Sequence, residues 1–175
     1  MPKKFFIILI GVLILIAGSF LLIDKLSKPV TSNVAASLQL PVQTELDFDG
    51  ERGESVSLDN GEIKLKASIF NDNQTRFYNV KMTDAKIIYF FVVKDKNGIY
   101  RAAANACAVC FKTYKGFHQE GNEIVCNNCG NRYPIEKIAT EKGGCNPGPI
   151  SPNLEVKDGK IIIKQADLEQ VSDLF

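Results

Sequence analysis

The sequence predicts a mainly β domain, a small sandwich or barrel with two metal-binding loops, preceded by one N-terminal transmembrane helix. Three observations lead there. Short alternating apolar runs separated by Asn-Gly and Asp-Gly turns begin near Val56. Two C-x-x-C pairs, Cys107/Cys110 and Cys126/Cys129, interrupt those runs. Residues 5–23, FFIILIGVLILIAGSFLLI, carry no charge and one polar side chain, Ser19.

From the N-terminus, residues 1–4 read as a short cytoplasmic end and 5–23 as a membrane span. At about 1.5 Å rise per residue that helix would reach roughly 28 Å, near the hydrocarbon thickness of a bilayer. A secretory signal has a shorter apolar region and a small-x-small cleavage site, and IAGS is a poor one. No cysteine lies near the run, which excludes a lipoprotein anchor. Lys3 and Lys4 precede it, giving a small positive-inside bias that places residues 24–175 outside the cytoplasm. Residues 24–50 mix Pro, Ser, Thr, Asn and Asp and read as a linker.

The folded domain is expected over 51–165. SVSLDNGEIKLKASIF alternates apolar Val56, Leu58, Ile63 and Leu65, with Asn60-Gly61 as a hairpin turn. After the turn cluster NDNQ comes the strand TRFYNVKM. Residues 87–93 are apolar throughout, as in a strand buried on both faces, and Asn97-Gly98 turns them back into IYRAAA. LEVKDGKIIIK is a further hairpin about Asp158-Gly159, and residues 166–175 form a C-terminal tail with a helical turn. Hydrophobic residues make up 45% of the chain, enough for a packed core without disulfides. A net charge of +1, with Lys and Arg scattered, gives no electrostatic case for nucleic acid.

Each C-x-x-C sets two sulfurs on one tight loop, and two such loops facing each other supply four thiolates. The spacing C-x₂-C-x₁₅-C-x₂-C falls in the zinc-type range, and four thiolates suit zinc, mononuclear iron or an iron–sulfur cluster. Two disulfides, or a thioredoxin-like redox pair, are the competing readings. Gly130 directly follows the second pair, where a left-handed backbone would turn N–H groups toward sulfur. Cys145, in the tight KGGCNPGPI loop, is a further candidate ligand; a replacement ligand and a buried free thiol fit equally. His118, the one histidine, reads as a surface or packing residue, because four thiolates already complete a tetrahedral site. Phe111, Tyr114, Phe117 and Tyr133 read as packing that would also shield a cluster from water.

The segments FFVVKDKNGIYRAAANACAVC, GFHQEGNEIVCNNCGNRYPI and KGGCNPGPI resemble the membrane iron–sulfur, FtrD-like family. The resemblance covers roughly residues 50–165. It implies a membrane-associated iron–sulfur protein linked to bacterial iron uptake, passing electrons beside a permease or redox partner that is a separate protein. It also implies Cys107, Cys110, Cys126 and Cys129 as ligands, and leaves the role of the family's extra cysteine, here Cys145, open. A looser likeness joins the region from Asn122 to Lys164 to the second half of a Rieske domain, with cysteines at the histidine positions. One histidine cannot make a two-histidine centre, so a [2Fe–2S] cluster here would be all-thiolate. No Ser–His–Asp set and no phosphate loop is present, so a carrier or metal-binding protein is expected rather than an enzyme. The alternatives are a structural-zinc module and a metal-delivery module.

Overall fold

The computed structural model describes residues 47–175, so the expected membrane span 5–23 and most of the expected linker lie outside the described residues. Among the described residues no helix is long and apolar enough to cross a membrane. The domain is mainly β, as expected, and its strands form three sheets. The central sheet contains β1 (Glu54–Val56), β3 (Arg76–Lys81), β4 (Ile87–Lys94), β5 (Tyr100–Cys107) and β9 (Pro147–Ser151), in the order β1-β3-β4-β5-β9. A second sheet orders β10 (Glu155–Lys157), β11 (Lys160–Lys164) and β2 (Glu62–Lys66). The third joins β6 (Phe117–Glu120), β7 (Glu123–Cys126) and β8 (Arg132–Pro134).

Strand β4 shows why three layers form. Its side chains alternate between two cores, because successive residues of a strand point to opposite faces. Ile88, Phe90 and Val92 enter one core, with Ile63, Leu65, Ile161 and Ile163 from the second sheet. Phe91 and Val93 enter the other, with Phe117 and Ile124 from the third. The uninterrupted apolar run is thus the signature of a strand covered on both sides. Its partner β5 is small where β4 is large: Phe90, Phe91 and Val92 lie opposite Ala104, Ala103 and Ala102. Leu168, on the short helix Gln165–Glu169, and Val171 complete the first core.

The Asn97-Gly98 and Asp158-Gly159 hairpins form as expected, with Gly98 at φ 82° and Gly159 at φ 72°. Asn60-Gly61 makes a turn too, but not the expected hairpin. Only Asp59 and Glu62 bridge across it. β1 runs parallel to β3 in the central sheet, while β2 pairs with β11 in the second. A turn signal fixes the reversal of the chain, but the pairing is decided by which core each apolar face completes.

One buried ion pair braces the β4–β5 turn. Arg101 donates from Nε and Nη2 to Asp95 Oδ2 at 3.1 and 3.0 Å, and from Nη1 to the Pro152 carbonyl at 2.9 Å. Asp95 Oδ1 accepts the N–H groups of Asn97 and Ile99, so the carboxylate is fully engaged. Such a pair is tolerated in the interior because its remaining donors and acceptors are satisfied.

Candidate metal centre

The first pair hangs from the end of β5. Alternation along that strand puts Ala103, Asn105 and Cys107 on the face of the third sheet, and Cys107 is buried there. The chain then turns so that the Cys110 N–H donates to Cys107 Sγ at 3.2 Å. A 3-10 turn, Phe111–Thr113, follows, with Tyr114 left-handed at φ 55°.

The second pair repeats this arrangement at the end of β7. The backbone N–H groups of Val109 and Cys110 face Cys107, and those of Asn128 and Cys129 face Cys126. Here Gly130 adopts φ 73°, and the Asn131 N–H reaches Cys129. The glycine after the second pair therefore does what its position suggested.

Cys145 is brought in by β9. Cys107 lies opposite Pro147, and the β5–β9 register shifts between Ala103 and Cys107. The irregularity frees the end of β9 from strict pairing and aims the 140–146 loop at the knuckles. All five cysteines are free thiols. Cys107, Cys110 and Cys145 have their sulfurs within 4.8 Å of one another, and so do Cys110, Cys126 and Cys129. Tetrahedral coordination at a metal–sulfur distance of about 2.3 Å sets sulfurs roughly 3.8 Å apart, a spacing compatible with either group of three. Soft donors, no competing carboxylate in either group and two knuckles with N–H groups aimed at sulfur all suit zinc, iron or an iron–sulfur centre.

Burial opposes charge at three of these thiols. It pushes the Cys107 thiol up, and holds Cys126 at about 11. Desolvation, reinforced by neighbouring Cys129, also lifts Cys145 to about 11. Cys129 moves the other way, chiefly because the Asn131 N–H stabilises its thiolate. It is also the exposed member, and so the most accessible sulfur to an incoming ion.

The aromatic residues divide. Phe117 is fully buried between the rings of Phe91 and Tyr133, at 6.4 Å from each. Phe111 and Tyr114 line a small apolar recess beside Cys107, Cys110 and Cys126. His118 reaches no sulfur group: Nδ1 bonds Asn127 and Nε2 bonds Glu120 at 2.9 Å. Those bonds, Glu120 first, raise its pKa.

Three asparagines and a glycine that sequence reasoning passed over do much of the positioning. Asn105, wholly buried, accepts the Phe117 N–H at 2.7 Å and donates to the Glu51 carbonyl at 2.9 Å. Gly116, at φ 63°, lies so close that an added Cβ would sit 2.6 Å from Asn105 Oδ1. Asn127 is tied to the preceding loop through its N–H to the Gly116 carbonyl and its side chain to the Lys115 carbonyl. Asn128 Nδ2 donates across to Cys110 Sγ at 3.4 Å. For Asn127 and Asn128 the run CNNCGN was the available signal, since asparagine side chains readily bond nearby backbone in tight loops.

Sheet layers carrying two sulfur knuckles define a small β domain whose clustered cysteines could hold a metal. The family model described as "Membrane iron-sulfur containing protein FtrD-like" matches residues 70–175, and the chain belongs to that family. No curated protein and no solved structure matches it.

Proposed function

We propose that the domain is an electron-transfer module tethered to the outer side of the cell membrane, with an iron–sulfur cluster, of the [2Fe–2S] type, held by Cys107, Cys110, Cys126 and Cys129. The observation that carries this reading is the convergence of sulfurs from two knuckles at the rim of the domain, where Cys129 is exposed. The bound centre would supply one-electron exchange. The chain's own part is to hold the sulfurs, direct backbone N–H groups at them and keep water from the inner pair. A centre reached through an exposed thiolate lies close to any docked partner.

Residues 5–23 would anchor the chain in the bilayer, and a separate permease or redox protein would be the partner, in keeping with a role beside iron uptake. All-thiolate ligation adds negative charge relative to a Rieske-type centre. Its potential should therefore lie several hundred millivolts lower, toward roughly −400 mV.

Anaerobic purification followed by iron and sulfide analysis, and electron paramagnetic resonance after dithionite, tests the reading. A brown protein with acid-labile sulfide and a reduced-state signal is expected. A colourless protein with about one zinc per chain would refute it in favour of a structural site.

A further inference from the structure

We propose that the five cysteines form a two-metal site, in which Cys107 and Cys145 serve one ion, Cys126 and Cys129 serve the other, and the Cys110 sulfur is common to both. This deepens the reading above and rests on its claim that these thiols hold metal. The ligand class is a soft or borderline divalent cation: iron(II), zinc or cobalt(II).

The overlap of the two sulfur groups is the main observation. Each is a set of three whose members are all within 4.8 Å of one another, and Cys110 alone belongs to both. A single tetrahedral ion uses four thiolates and leaves the fifth idle. The fold does not treat Cys145 as idle. The register that sets Pro147 opposite Cys107 delivers its loop to the first knuckle. Gly143 at φ 96° and Gly144 at φ 61° let the chain turn sharply just before it.

The shared sulfur is suitably furnished. A thiolate bridging two ions is bonded to its Cβ and to both metals, and keeps one lone pair. Asn128, from the opposite knuckle, already donates to Cys110 Sγ. Charge favours the pair as well. Five thiolates with two divalent ions leave a formal charge of about −1, against about −2 for four thiolates around one. The smaller charge suits a site in which Cys107 and Cys126 are buried.

Cobalt(II), titrated anaerobically into the reduced, metal-free full chain, separates the possibilities. The thiolate-to-cobalt absorbance should saturate at about two equivalents. The high-spin cobalt resonance signal should grow over the first equivalent and fall over the second, because a bridging thiolate couples the two spins. Cys145→Ser should saturate at about one equivalent and keep its signal. Wild-type saturation at one equivalent overturns the two-metal site and leaves the metal-protein reading standing. Two equivalents with an undiminished signal overturn the shared sulfur. A folded chain that takes up no cobalt overturns both readings. Should Cys145→Ser fail to fold, the wild-type titration and its resonance signal decide alone.

Discussion

Cys107 closes an eight-residue strand embedded in the five-stranded sheet, whereas Cys126 closes a four-residue strand of the small third sheet. Both inner cysteines are buried, and each receives backbone N–H groups from the outer cysteine of its pair and the residue just before it. The outer cysteines differ. Cys110 is half-buried and runs into a 3-10 turn, while exposed Cys129 is followed by Gly130 and receives the Asn131 N–H. The first knuckle is thus delivered by the global fold and the second by local turn chemistry. Asn105, Gly116 and Phe117 join the two, and metal retention should depend on all three links.

The largest effect should come from removing an inner ligand. Cys126→Ser should lower metal retention by at least about 100-fold, read as metal content after chelator challenge, since a hydroxyl is a poor donor to a soft ion. Unchanged retention would show that the second knuckle is not part of the centre.

Next comes the packing that couples the knuckles. Phe117→Ala should cost about 3–5 kcal/mol in denaturant unfolding, because a fully buried ring leaves a cavity between two sheets. A cost under about 1 kcal/mol would mean that the third sheet is held by the metal rather than by its core.

Gly116→Ala tests the junction more gently. A left-handed backbone and a Cβ pressed against Asn105 should together cost about 1–3 kcal/mol, measured the same way. Moreover, the loss should fall on the second knuckle, seen as faster amide exchange at Asn127, whose N–H bonds the Gly116 carbonyl.

The smallest effect concerns acid. Lys96 and then Asn122 hold the Glu136 carboxyl at about 2, below its usual 4.5. A depressed carboxyl contributes stability that is present above the unfolded value and lost as pH falls through the folded one. Stability should therefore decline between about pH 4.5 and about pH 2 through this group, and Glu136→Gln should flatten that part of the curve. The difference should stay under about 1 kcal/mol, because Lys96 is largely exposed.

Much of this domain was legible in the sequence because its signals are local. The run at 87–93, the Asn97-Gly98 and Asp158-Gly159 turns and the two C-x-x-C pairs each state their own geometry within a few residues. The Asn60-Gly61 turn shows the limit. Its flanking strands separate because β2 completes a core with Ile161 and Ile163, about a hundred residues later, and no local pattern encodes such a partner. Cys145 was visible as a candidate, but its proximity to Cys107 and Cys110 depends on the β5–β9 register. In the sequence Asn105 is one polar residue in an alanine-rich stretch. Only the approach of Gly116 and Phe117 reveals it as the polar clasp between two sheets.

Pro147 and Pro149 sit in β9, the last strand on one side of the central sheet, directly before and after Gly148. Neither proline has an N–H to offer, so this margin is a poor template for a strand from another molecule. The loop that carries Cys145 leads directly into this margin. The two prolines beside the cysteine loop thereby discourage copies of the domain from annealing edge to edge.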